Sequence, residues 1–166
     1  MLNLFQHPSC GKLGVAGRRG LVTRTIAWAT LVAGTLDILS AFLWSALDGG
    51  NLANILPTVA SGPFGDRVPQ GAVAQVLGLL VHFAIMAVMV TVYVLAARRI
   101  PALNRYWPIA GLLYGLVLWI LMYWIVIPLR WPGAPSRELM DVTKQLISHC
   151  LLVGLPIAWL TARHAR

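Results

Sequence analysis

The sequence predicts an all-α protein, a four-helix transmembrane bundle with a short interfacial helix after the first span. Of the 166 residues, 58% are apolar and only 11% are charged, whereas a soluble domain carries about 25% charged residues. Four apolar stretches are long enough to cross a bilayer as helices. A chain of this length builds one membrane domain, residues 25–166, behind a basic N-terminal arm, residues 1–24. The spans cover approximately residues 25–47, 73–97, 107–129 and 146–162.

The stretch between the first two spans is not uniformly polar. Its apolar residues recur at nearly helical spacing until the sequence Ser-Gly-Pro at residues 61–63 interrupts them. This pattern predicts a short helix that lies along the membrane interface. Such a helix either packs as a cover over the end of the bundle or acts as a lid over a cavity, and the sequence leaves both open. The apolar residues are Leu52, Ile55, Leu56, Val59 and Ala60.

The formal net charge of +8 is distributed unevenly about the four spans. If the N-terminus is cytoplasmic, nine basic residues lie on the cytoplasmic side and four on the other side. The positive-inside rule therefore predicts a multi-pass protein of the bacterial inner (cytoplasmic) membrane with both termini cytoplasmic. Because the basic residues flank apolar spans, we expect them to contact the lipid bilayer and not nucleic acid. The nine are Lys12, Arg18, Arg19, Arg24, Arg98, Arg99, Arg105, Arg163 and Arg166, and the four are Arg67, Arg130, Arg137 and Lys144.

Four polar or titratable residues stand inside the apolar spans: Asp37, His82, Tyr114 and His149. A carboxylate at the bilayer centre costs about 2.5–3.5 kcal/mol on insertion scales, so Asp37 requires a partner, a proton or water. Asp37 is near the middle of its span, and the two histidines lie roughly 5–6 Å toward the outer face at 1.5 Å per residue. We therefore expect Asp37, His82 and His149 to form one buried polar layer, with Tyr114 slightly on its inner side.

This layer allows several interpretations. It is a satisfied polar core that fixes helix register, or a site where an Asp–His pair exchanges protons. A third interpretation is a metal or haem site, for which Asp37, His82 and His149 are weak candidates because no metal-binding spacing is present; no metal ligand is assigned, and the cofactor stays unknown. The glycines that we expect to pack helices closely are Gly34, Gly111, Gly115 and Gly154, of which Gly111 and Gly115 form a GxxxG pair.

Short fragments in all four spans and in the first outer loop resemble the YagU-like family of uncharacterised bacterial inner-membrane proteins. The resemblance implies a four-span inner-membrane protein without an established biochemical activity. The N-terminal arm lies outside it. The fragments are Gly34-Thr35-Leu36-Asp37, Ala60-Ser61-Gly62, Leu80-Val81-His82-Phe83, Leu113-Tyr114-Gly115, Pro128-Leu129, and His149 with Gly154-Leu155-Pro156-Ile157-Ala158.

Two functions follow from these observations. The first is a non-catalytic accessory subunit or interaction partner of a larger membrane assembly, or a homo-oligomer, because the chain is small and its spans carry small-residue faces. The alternative is a proton- or ion-handling membrane protein that uses the buried Asp/His layer. No catalytic residue is assigned, because no nucleophile–base pair, phosphate loop or paired carboxylates occur in the spans. We therefore expect no enzymatic activity.

Overall fold

A computed structural model describes residues 15–134 and 136–165 of the chain, and all regular secondary structure in these ranges is helical. Residues 1–14 of the predicted arm lie outside the described residues. The helices are α1 (Val15–Leu47), α2 (Ile55–Phe64), α3 (Ala72–Arg99), α4 (Pro101–Arg105), α5 (Trp107–Arg130) and α6 (Leu139–His164), and single 3₁₀ turns at Leu52–Asn54 and Gly65–Arg67 flank α2.

The predicted four-helix architecture is confirmed, because α1, α3, α5 and α6 are each long and apolar enough to cross a membrane. Two boundaries differ from the sequence prediction. Helix α1 begins at Val15 and not near residue 25, and α6 begins at Leu139 and not near residue 146. Hydropathy marks only the apolar part of a helix, whereas the backbone continues through residues such as Arg19 and Lys144 that have good helix propensity. The predicted interfacial helix is present as α2.

The four spanning helices enclose a core made mainly of small and β-branched side chains. Ala33, Val90, Ile157 and Ala158 are fully buried in it. Helix α1 packs along α3 and α6, and α6 packs along α5, whereas α3 and α5 make little backbone contact. Tyr114 bridges these two helices, since its hydroxyl donates to the carbonyl oxygen of Met89 at 2.7 Å. The bundle is therefore ordered α3–α1–α6–α5, with its loosest joint between α3 and α5.

Helices α5 and α6 approach each other closely through three of the predicted packing glycines. A methyl group added at Gly111 or Gly115 would meet the backbone of α6, and one added at Gly154 would meet the backbone of both α5 glycines. Gly34 serves the contact between α1 and α3, where the ring of Phe83 lies against it. All four glycines thus pack helices within one chain, as small residues do when membrane helices approach closely.

Helix α2 covers the end of the bundle opposite the termini, which we call the distal end. Its backbone at Leu56 lies against Gly78 of α3, where a larger residue would collide with it. At the other side Arg130, at the end of α5, donates through Nε to the carbonyl oxygen of Ser61 at 3.1 Å and pairs with the Asp66 carboxylate at 2.6 Å. Helix α2 therefore joins α3 to α5 at the end of their loose joint.

Helices α5 and α6 each contain a π-helical segment that ends just before a proline. The segments are Leu121–Val126, before Pro128, and Ser148–Gly154, before Pro156. A proline has no N–H to donate and its ring crowds the carbonyl group four residues earlier. In both helices the residue before the proline instead donates to the carbonyl five residues back, Met122 in α5 and Cys150 in α6.

Candidate functional site

Asp37 and His82 face each other between α1 and α3. The Asp37 Oδ2 atom lies 4.0 Å from His82 Nδ1, and the side chains are 23% and 9% exposed. This separation exceeds the 2.7–3.2 Å of a direct hydrogen bond, so the two groups interact as charges or through a bridging water. The other ring nitrogen of His82, Nε2, is 2.9 Å from the carbonyl oxygen of Gly34. Gly34 precedes Asp37 by three residues, so both contacts of His82 go to the same turn of α1.

The bond to Gly34 fixes the tautomer of His82. A carbonyl oxygen only accepts hydrogen bonds, so Nε2 must carry a proton. The Nδ1 atom then faces Asp37 either with a proton, opposite a carboxylate, or without one, opposite a carboxylic acid. One proton, on either Nδ1 or the carboxyl group, makes the pair electrically neutral. Its loss would leave a net negative charge inside the membrane, which is costly without water or a cation.

The local sequence explains how the two side chains meet. Because Gly34 has no side chain, Phe83 of α3 packs directly onto α1. His82, the residue before Phe83, is then held against the turn of α1 that contains Gly34. The His82 ring stands edge-on to that of Phe83, with 5.3 Å between the ring centroids. The small residues around Asp37 thus position the histidine and do not merely fill space.

A cavity of about 540 Å³ opens at the distal end between α5 and the start of α6. Trp119, Tyr123 and Trp124 form its aromatic side, and Asp141 and Gln145 lie on its α6 side. Tyr123 therefore lies on the wall of this cavity, on the side opposite Asp141.

The other two members of the predicted layer have different partners. His149 binds the carbonyl oxygen of Gln145, one turn earlier in α6, through Nδ1 at 3.0 Å, and its ring packs edge-on against Tyr123 at 5.7 Å. Tyr114 lies against Tyr93, with ring centroids 4.9 Å apart. His149 thus contacts Gln145 and Tyr123, and Tyr114 belongs to the joint between α3 and α5.

The three weak metal candidates do not converge. Within residues 15–134 and 136–165, no three or more His, Cys, Asp or Glu side chains are arranged to hold a metal ion. The depth of Asp37, His82 and His149 along their spans was a sound basis for one layer, but depth does not determine which way a side chain points. The ring of His149 turns toward α5, because its Nδ1 atom is held by its own helix.

A second polar contact, between α1 and α6, was not predicted. The hydroxyl oxygens of Ser40 and Ser148 lie 2.9 Å apart, within hydrogen-bond distance, and the indole N–H of Trp44 donates to the same Ser148 oxygen at 2.9 Å. Ser148 is 2% exposed. The signal in the sequence was that Ser40 and Trp44 lie one turn apart on the face of α1 that carries Asp37. No pattern in the sequence marked Ser148 as their partner.

Comparison with protein-family models, with curated protein sequences and with solved structures finds no match for this chain.

Proposed function

We propose that this membrane protein binds and releases a proton at the Asp37–His82 pair. The observation that carries the proposal is the geometry of His82, whose Nε2 is committed to Gly34 while Nδ1 faces Asp37. The pair is neutral when either group carries the proton and negatively charged without it. A mid-membrane group with two such states is typical of proton relays.

The distal cavity supports a route for this proton. Asp141 and Tyr123 line it, and the Tyr123 ring packs against His149. We propose that protons reach the pair from the distal side through Asp141 and Tyr123, with His149 positioning the Tyr123 ring. The route ends at the Asp37–His82 pair between α1 and α3.

The proposed setting is the bacterial inner membrane with both termini in the cytoplasm, because basic residues concentrate at the end of the bundle that holds the termini. The distal cavity then opens on the periplasmic side. The proposed activity is not enzymatic. Membership of the YagU-like family, which the sequence fragments suggest, is part of the same proposal and agrees with a four-span architecture.

Proton flux into liposomes that contain the purified protein and a trapped pH-sensitive dye tests the proposal. Under an imposed pH gradient, with valinomycin and K⁺ to balance charge, we expect a flux above that of protein-free liposomes. Asp37→Asn should lower this flux about 100-fold, the lower end of what a positioned proton-transfer group contributes. The substitution keeps the size of the side chain but removes its ability to hold a proton reversibly.

Glu138→Gln serves as the matched control, because it removes an exposed carboxyl group outside the cavity and should leave the flux unchanged. Equal flux from the wild-type and Asp37→Asn proteins, or no flux above the protein-free background, would overturn the proposal. Circular dichroism of each variant in the same liposomes establishes that the helices are intact.

A second function, an accessory subunit or homo-oligomer, is favoured by the exposure of Asp37. Its side chain is 23% exposed, and its Oδ2 atom lies 4.0 Å from Nδ1 of His82. A donor on a neighbouring membrane helix would shield the exposed part from lipid, since polar groups in membranes commonly bind across helices. In this case the Asp37–His82 pair lies in the interface between this chain and a neighbouring membrane protein or a second copy of the chain.

Native mass spectrometry of the protein released from its own membranes in mild detergent tests this second function. We expect a mass that exceeds the 18.1 kDa of one chain by another copy or by a different protein, and we expect Asp37→Leu to dissociate the complex. A bare monomer under conditions that preserve a known membrane dimer would contradict the subunit function and leave the proton-binding function as the simpler one.

A further inference from the structure

A second cavity lies at the end of the bundle that holds the termini, which we call the terminal end. Its volume is about 410 Å³, and it is formed where α1, α3 and α6 meet the short helix α4. Thr25 and Thr161 contribute to its wall, and Arg98, Asn104 and His164 supply its polar groups. None of these residues takes part in the Asp37–His82 site, so any role of this cavity is independent of the proposed proton binding.

Two buried polar atoms on this wall have no hydrogen-bond partner among the described residues: Asn104 Oδ1 and His164 Nδ1. The orientation of the Asn104 amide is fixed, because its Nδ2 donates to the carbonyl oxygen of Ala97 at 3.0 Å. Both threonines, in contrast, donate their hydroxyl groups within their own helices, Thr25 to Leu21 and Thr161 to Ile157. An unpaired buried polar group costs about 1–3 kcal/mol, so these two atoms call for a partner outside the described residues.

The charge of the terminal end indicates the sign of that partner. The five carboxylate side chains of the chain are Asp37, Asp48, Asp66, Glu138 and Asp141. Asp37 is mid-span and the others are at the distal end, where the Arg and Lys ion pairs within the described residues also lie. The arginines of the terminal end therefore have no acidic side chain near them in the sequence. Because Arg98 lines the cavity, the cavity is suited to an anion.

We propose that this cavity binds a glycerophosphate group. Arg98 would pair with the phosphate, and His164 would donate to a phosphate oxygen through the ring nitrogen that is now unpaired. Asn104 Oδ1 accepts hydrogen bonds only, so it repels a bare phosphate and instead requires a hydroxyl donor beside it. A glycerol hydroxyl next to a phosphate supplies both features. The source is either the headgroup of a phosphatidylglycerol-type lipid or soluble glycerol phosphate.

The lipid source is tested by native mass spectrometry of the protein released from nanodiscs that contain equal amounts of phosphatidylglycerol and phosphatidylcholine. We expect one retained phosphatidylglycerol per chain. Arg98→Gln should lower the retained fraction about fivefold, the effect of one arginine near a lipid surface, and Arg98→Lys should restore part of it. Arg99→Gln is the matched control. It removes the same charge from the neighbouring residue, whose side chain does not line the cavity.

The soluble source is tested by thermal unfolding of the protein in nanodiscs of phosphatidylcholine alone. If the ligand is soluble, millimolar glycerol 3-phosphate should raise the unfolding temperature of the wild-type protein and of Arg99→Gln, but not that of Arg98→Gln or His164→Leu. Inorganic phosphate at the same concentration should act more weakly, because it brings no hydroxyl group to Asn104.

Two results would overturn the proposal. One is an equal loss of phosphatidylglycerol in Arg98→Gln and Arg99→Gln, which would show that lipid contacts the basic terminal end without using the cavity. The other is the absence of both retained phosphatidylglycerol and stabilisation by glycerol 3-phosphate in the wild-type protein. Circular dichroism of each variant without ligand checks that the substitutions leave the bundle folded.

Discussion

Replacing Gly154 by alanine should lower the free energy of unfolding by about 2–3 kcal/mol, the range observed when atoms are forced into a packed interior. A Cβ atom at this position would meet the carbonyl oxygen of Gly111 and the backbone of Gly115. These are backbone atoms, which cannot rotate away as a flexible side chain would. Helices α5 and α6 must therefore move apart, and this movement loosens the packing between them.

The measurement is reversible unfolding of the purified protein in mixed micelles with increasing dodecyl sulfate, followed by tryptophan fluorescence. Gly20→Ala is the matched control, because Gly20 lies in α1 and an added Cβ would meet nothing within 4 Å. Alanine at this position should raise helix stability by roughly 0.5–1 kcal/mol. Indistinguishable unfolding curves for Gly154→Ala and the wild-type protein would show that α5 and α6 do not pack through this glycine.

Replacing His82 by leucine should lower the free energy of unfolding by about 2 kcal/mol, between the cost of breaking a buried ion pair and that of losing one membrane hydrogen bond. The substitution removes the donor to Gly34 and leaves the Asp37 carboxyl group without the ring that faces it. Substituting both residues, in Asp37→Leu/His82→Leu, should recover at least about 1 kcal/mol of this loss because neither polar group is then left alone.

The same micelle assay measures the four corners of this double-mutant cycle. Thr91→Val is a suitable control, because the Thr91 hydroxyl donates only within its own helix, to the carbonyl oxygen of Ala87. It should change stability by less than about 0.6 kcal/mol, the average for a hydrogen bond between membrane helices. Strictly additive costs for Asp37→Leu and His82→Leu would mean that the two side chains do not interact across α1 and α3.

The pattern of apolar residues was sufficient to predict the class of fold. Four apolar stretches of about 17 residues or more are long enough to cross a bilayer. Inside a bilayer the backbone N–H and C=O groups must hydrogen-bond to one another, as they do in a helix. The helix after the first span followed from the same periodicity. The helix ends did not follow, since Val15 and Leu139 lie in polar sequence where hydropathy gives no signal. The π-helical segments were also not predicted. The presence of Pro128 implies that one backbone hydrogen bond is lost, but it does not determine how the helix adapts to that loss.

For the candidate site, the sequence by itself determined which side chains were unusual and how deep in the membrane they lay. Asp37 and His82 were identified because a carboxyl group and an imidazole are costly in apolar spans. Only the tertiary structure decided which of them meet, because the direction of a side chain depends on the rotation of its helix about the axis, and packing sets that rotation. Gly34 brings α3 against α1 so that His82 faces Asp37, while the bond to Gln145 turns His149 toward Tyr123.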